Sequence, residues 1–269
     1  MPIIIIFAVD YVLTTSFITL FKVRNIILFF LALLLSCTAS AMRIPSNAVG
    51  KTEYEVRYKL KMLETKVATA VISLEKDKWE KQSAFHAKAR IKASSIFRMF
   101  MGEEYVSDSY LTSAAMPLYC INPLKIKNRT GKREYYYHSG SHTIESVLTM
   151  EEEDPRSVVI QQKGTTLELL SLVIFARFHD FSSSGKMSLN VLMNGKSYPA
   201  VLHTEGIDNE RFPGYETERI VLELTGRGLM EDGSGNQITL WRSTGSDRTV
   251  FGLEVPLSSG VMSVKKKKM

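Results

Sequence analysis

A chain of 269 residues, 45% hydrophobic and 23% charged, has ordinary globular composition and is long enough for one large β domain or two small ones. The net charge of +6 sits mainly near the ends, on Lys22 and Arg24 and on the four lysines at 265–268. The body between them is close to neutral, which excludes a general nucleic-acid surface. Cys37 and Cys120 are the two cysteines, and neither C-x-x-C nor Cys/His metal spacing occurs, so no disulfide framework, metal or cofactor is expected.

The first 41 residues read as an address and not as part of the fold. Lys22 and Arg24 precede an apolar run at 26–35, and Ala39-Ser40-Ala41 is an A-x-A site, the order of a secretory signal cleaved after Ala41. Leu34-Leu35-Ser36-Cys37 offers another reading, a bacterial lipobox whose Cys37 is lipidated and becomes the mature N-terminus, although Leu35 suits its middle position poorly. Residues 1–20 are apolar, carry Asp10 and lack a positive start. Synthesis beginning at Leu20 explains them, or a second membrane segment. The expected division is 1–41 as upstream extension plus signal, 42–264 as one β-rich exported domain without an integral membrane segment, and 265–269 as a solvated basic tail.

Residues 42–51 look like a short linker. Tyr54, Val56, Tyr58, Leu60 and Met62 then alternate with Glu55, Arg57, Lys59 and Lys61, the period of a strand with one wet face. A second strand covers 67–74. A third alternates Phe85, Ala87, Ala89, Ile91 and Ala93 with His86, Lys88, Arg90 and Lys92, and so much alanine on one face predicts close approach by another element. Residues 96–101 fit a strand or a helical turn. Strands at 105–110 and 118–121 follow, then a hairpin with its tip at Asn128-Arg129-Thr130-Gly131. The five basic residues between Lys125 and Arg133 read as a solvated tip, where charge guards strand ends against aggregation. His138 and His142 have the spacing of a helical metal pair, but Ser139-Gly140-Ser141 between them makes a turn. Cys120, in the apolar run Leu118-Tyr119-Cys120-Ile121, reads as a buried inert thiol.

Residues 165–204 organise the rest. Thr165-Thr166-Leu167-Glu168 fits a capping box, in which Thr and Glu side chains satisfy the open N–H groups at a helix start, and predicts a helix over 166–177. Leu167, Leu170, Ile174 and Phe178 share one face, while Leu169, Leu172, Val173 and Phe175 fill much of the remainder. A helix apolar nearly all round is buried, and one this short does not span a bilayer. Met187, Leu189, Val191 and Met193 open a hairpin whose Asn194-Gly195 supplies the two positive-φ residues of a type I′ turn. Pro199 predicts an edge or a bulge in the return strand. Ile220, Leu222 and Leu224 alternate, a glycine-rich loop at 226–236 lacks any phosphate-binding spacing, and strands at 238–241, 250–255 and 261–264 close the chain. The expected fold is mainly antiparallel β, a curved sheet or incomplete β-barrel wrapping one short buried helix.

The run from Leu170 to Arg177, His179-Asp180-Phe181, Asn194-Gly195-Lys196-Ser197-Tyr198, Gly206, Ile238-Thr239-Leu240-Trp241 and Gly260-Val261-Met262-Ser263-Val264 resemble domain-of-unknown-function family 3108, exported bacterial proteins, in its Bacteroidetes branch. Tyr54-Glu55-Val56-Arg57-Tyr58 and Met116-Pro117-Leu118-Tyr119 fit it more loosely. After the tryptophan this chain has Ser-Thr-Gly-Ser-Asp-Arg-Thr-Val, where the family usually shows an acidic turn and Pro-Val. The resemblance implies an envelope protein, periplasmic or outer-membrane associated, with no settled activity.

Three functions compete. A curved sheet suits a non-enzymatic binding protein for an apolar or amphiphilic ligand such as a lipid. A structural or assembly factor would present its surface to other envelope proteins. A hydrolase-type enzyme would have to use Arg177, His179 and Asp180, the tight charged trio beside the apolar centre. G-x-S-x-G is absent, and no residue is assigned as catalytic. Arg177, His179 and Asp180, with Trp241, are instead the candidate ligand-binding or structural corner. Just past a helix end, such a trio matches cationic capping of the last carbonyls plus a loop salt bridge.

Overall fold

The computed structural model describes residues 42–95, 98, 103–126, 129–181, 185–225 and 236–267. The signal and lipobox readings with Cys37 and Ala41, most of 96–101, the hairpin tip at Asn128 and the glycine-rich loop to 235 lie outside the described residues. Alternating apolar and polar residues build β1 (Gly50–Leu60), β2 (Leu63–Trp79), β3 (Gln82–Ala93), β4 (Glu104–Leu111), β5 (Pro117–Ile126), β6 (Arg129–His138), β7 (Thr143–Met150), β8 (Arg156–Gln161) and the short β9 (Thr166–Glu168). After the helix α1 (Leu169–Phe178) come β10 (Lys186–Met193), β11 (Lys196–Ile207), β12 (Thr217–Leu224), β13 (Gln237–Ser243), β14 (Val250–Leu257) and β15 (Gly260–Lys266).

These fifteen strands form one sheet in the order β8-β7-β6-β5-β4-β3-β2-β1-β15-β14-β13-β12-β11-β10-β9. Every pairing is antiparallel except that of β9 with β10. All but one of the pairings join strands adjacent in the chain. The exception, β1 with β15, sets Val56 opposite Val264 and stitches the first strand to the last. The sheet does not close, because β8 and β9 are not paired. Buried side chains knit that seam instead: Cys120, Tyr135 and Ile144 of β5–β7 cluster with Leu192 of β10, and the Tyr135 hydroxyl accepts from Gly195 N at 3.1 Å.

The inner face is filled. Leu170, Leu172, Ile174, Phe175 and Phe178 of α1 join one core with Tyr54, Val56, Ala68, Ala70, Leu74, Ala87, Leu111, Leu189, Val191, Ile220, Leu222 and Leu240. The alanines of β3 have the expected consequence, since α1 lies against β3 and β4 as well as β9 and β10. Among the described residues, no helix is long and apolar enough to cross a membrane.

Four boundaries differ from the sequence reading. The helix starts at Leu169 and not at 166, because Thr166–Glu168 pairs in parallel with Asn190–Leu192 as β9. Pro199 lies in β11, between β10 and β12, without an edge or a bulge at that point. β12 ends at Leu224 opposite Ala200, so the missing N–H of Pro199 faces the strand's end, where Thr225 N and Oγ1 donate to the Pro199 carbonyl at 2.9 and 3.0 Å. The segment read as a linker is anchored: Ile44 and Ala48 are buried, and Ile44 N donates to Ser113 O at 2.7 Å. The basic tail drawn at 265–269 begins inside β15, where Lys265 pairs with Glu55 and Lys266 with Tyr54. Carboxylates of the neighbouring strands explain why lysine is tolerated there, Glu64 at 3.7 Å from Lys265 and Glu53 at 3.0 Å from Lys267.

Candidate functional site

At the C-terminal end of α1 the last carbonyls need donors. Arg242, from β13, supplies them. Its side chain is 1% exposed, and Nη1 donates to the carbonyls of Ala176, Arg177 and His179 at 2.7, 2.9 and 2.7 Å. Nε and Nη2 hold Glu218 Oε2 at 2.9 and 2.7 Å, and Arg248 Nη1 reaches the same oxygen at 3.3 Å. A cation at a helix C-terminus also faces the negative end of the helix dipole. Helix capping is therefore the work of Arg242. The sequence reading gave that role to Arg177, which a local pattern favours.

The Arg177 guanidinium lies over the Phe178 ring, 4.5 Å from its centroid, and bonds to another segment. Its Nε donates to Arg248 O at 3.0 Å and Nη2 to Asp247 O at 2.9 Å, so it grips the β13–β14 turn. It also lines a cleft of ≈ 180 Å³ between residues 47–52, α1 and that turn. Val49, Ile72, Leu74 and Val173 give this cleft an apolar wall; Thr52, Tyr54 and Thr249 add hydroxyls. The Tyr54 hydroxyl donates to Val250 O at 3.2 Å, and burial pushes its pKa up to about 12. The carboxylate of Asp247 is engaged by the hydroxyls of Ser243, at 2.8 Å, and Thr249. Desolvation lowers the pKa of Arg177, against opposing pulls from Tyr54 and Asp247.

The trio does not converge, because neither His179 nor Asp180 lines that cleft. The His179 ring stacks on Phe175, centroids 5.0 Å apart, and meets Phe181 edge-on at 4.7 Å. Burial and then the Arg242 charge hold its pKa below the ordinary imidazole value, outweighing the pull of the exposed Asp180. The folded state therefore prefers the neutral ring. As pH falls through 6.5, the unfolded chain takes up this proton more readily, and stability is lost. The melting temperature is expected to drop between about pH 7 and pH 5, before the carboxylates titrate, and His179→Gln is expected to flatten that part of the curve. An identical profile in the variant would count against this assignment.

Trp241 belongs to the opposite face of β13. Its neighbours Leu240 and Arg242 face the core and the helix, so the indole points outward, where Nε1 donates to Asp208 Oδ2 at 2.8 Å and Phe212 meets the ring at 6.1 Å. The candidate corner thus separates into a helix cap, a cleft cation and an outer aromatic anchor.

At the other end of α1, Glu168 is 1% exposed and accepts from Leu170 N at 2.8 Å, Ser171 N at 2.6 Å and Ser109 Oγ at 2.5 Å. It is the N-cap itself, where the capping-box reading placed it one turn inside the helix. Cys120 lies beside it, fully buried, and burial followed by the Glu168 charge pushes the thiol pKa up, the environment of an inert cysteine. Among the described residues no group of three or more His, Cys, Asp or Glu side chains is placed to hold a metal ion.

No curated protein matches the chain in sequence. Its fold is similar to the crystal structure of a beta-barrel-like protein of domain of unknown function DUF1849 from Brucella abortus, at 8% identity and a TM-score of 0.49, over 81% of this chain and 95% of that one. The family model described as "Protein of unknown function (DUF3108)" matches residues 53–265, from β1 through most of β15. With both halves of the sheet inside that match, the chain belongs to the DUF3108 family.

Proposed function

We propose that this is an exported protein of the cell envelope, periplasmic or associated with the outer membrane, that holds a small apolar or amphiphilic ligand and catalyses no reaction. The observation that carries this reading is the cleft at Arg177, where a half-buried cation and several hydroxyls face a smaller apolar wall of Val49, Ile72, Leu74 and Val173. At ≈ 180 Å³ it is smaller than the roughly 300–1,000 Å³ of sites for drug-sized molecules, so it suits a head group or one short arm of a larger molecule. A catalytic reading has less support, since neither His179 nor Asp180 lines the cleft with Arg177. Purified protein is expected to carry a bound amphiphile in native mass spectrometry, and Val173→Phe, which fills the cleft from the helix side, to lose it. Wild-type protein that is unliganded and shows no thermal shift with octanoate or octanol would end the reading.

The assembly-factor reading has one observation in its favour. β8 is a sheet edge, and its Val158 and Val159 are 56% and 62% exposed. Exposed apolar edges invite strand addition from another chain. A native mass spectrum showing a bound polypeptide in place of an amphiphile, unaffected by Val173→Phe, would favour it.

A further inference from the structure

The β1–β2 hairpin ends in Lys59-Leu60-Lys61-Met62-Leu63, and all five side chains are exposed. Met62 is 98% exposed, Leu63 74% and Leu60 44%. Single exposed apolar residues are ordinary on protein surfaces, but three within four positions of one tight turn form a continuous apolar point. The turn itself does not ask for them. It places Lys61 at a φ of 51°, and polar residues or glycine suit such turns well. β3 is last paired at Ala93, opposite Ala68, and Ser94 Oγ still donates to Lys66 O at 3.4 Å, while Leu63 to Thr65 have no strand partner on that side among the described residues.

Charge distinguishes this tip from the rest of its surroundings. Arg57 and Lys66 share the carboxylate of Glu55 at 2.5 and 3.2 Å, and Lys265 meets Glu64 at 3.7 Å. Lys59, opposite Glu64 in the ladder, and Lys61 enter none of the ion pairs found among the described residues. Aliphatic side chains between lysines that hold no ion pair, at the tip of a hairpin, suit an anionic lipid surface, where apolar groups enter the acyl boundary and ammonium groups meet phosphates. A protein groove suits them less. Lysine is depleted at the centres of protein interfaces, and a turn this small offers far less than the ~800 Å² per partner of a stable complex. We infer that the β1–β2 tip is a docking element that seats the protein on an anionic membrane surface.

The test reads the environment of the tip itself, in the full chain, so that membrane binding by any other segment does not imitate it. A nitrobenzoxadiazole label is attached at Met62→Cys with Cys37→Ser, leaving the buried Cys120 in place. A second protein carries the label at Ser139→Cys, in the exposed turn at the opposite end of the strands. Vesicles of phosphatidylcholine with phosphatidylglycerol are expected to shift the label at 62 to the blue, and vesicles of phosphatidylcholine alone to do so far less. The label at 139 is expected to stay unchanged. Lys59→Gln with Lys61→Gln is expected to weaken the effect about 25-fold, about fivefold for each lysine. Because all these side chains are exposed, the variants are expected to fold. No shift at 62 would overturn the proposal, as would an equal shift at 139. A shift that arises without vesicles and grows with protein concentration would overturn it in favour of a second copy covering the tip.

Discussion

Arg242→Ala is expected to destabilise the protein by about 3–5 kcal/mol, the range for removing one partner of a buried ion pair. Two losses combine. Glu218 keeps only the longer contact to Arg248 at 3.3 Å, and the carbonyls of Ala176, Arg177 and His179 lose a common donor. For a domain of this size that corresponds to a fall in melting temperature of about 6–20 °C. Arg242→Met keeps the packing volume but leaves the same carbonyls and carboxylate unpaired, so it is expected to recover little. Urea denaturation of both variants checks this, and a loss under about 1 kcal/mol would show that water replaces the guanidinium without difficulty.

Ile174→Ala is expected to cost about 2–5 kcal/mol, as large-to-small changes do at rigid core positions. Ile174 is 1% exposed and lies in the core that both halves of the sheet share. A surrounding sheet tied by long ladders cannot easily collapse onto the space left behind, which places the expected value above the lower limit. A loss within the surface range of about 0.5 kcal/mol would mean that α1 is not the centre of the core.

The central helix and the hairpin after it were legible because their signals are local. Leu170, Ile174 and Phe178 recur at helical spacing, and Asn194 and Gly195 adopt the predicted positive φ of 50° and 75°. Strand alternation was equally legible in β1 and β12, where Tyr54, Val56, Ile220 and Leu222 face the core. The helix cap was not, because its donor lies 66 residues from the carbonyl of Ala176, and nothing around a lone arginine beside a tryptophan names its distant partner. The C-terminal lysines misled for a related reason. Their charge suggested solvent, whereas their pairing with β1 depends on carboxylates some two hundred positions away. Met62 continued the alternation of β1 on paper, yet the chain turns at Lys61 and leaves it outside. The cleft at Arg177 was equally hidden, since its walls come from four separate segments.

Joining the first strand to the last gives the molecule a waiting time. Glu53 and Lys267 stand 214 residues apart, so at about 5–20 residues per second β1 is made roughly 10–40 s before its partner on that side exists. β2 arrives within the same hairpin and occupies one edge of β1, while the other edge stays open until β15 emerges. The alternation of Glu55, Arg57 and Lys59 along β1 takes on a second meaning in that interval. Charged side chains on a vacant edge discourage pairing with strands of other chains. Glu55, which later stands opposite Lys265, thus guards the edge of the nascent chain before it becomes part of a finished sheet.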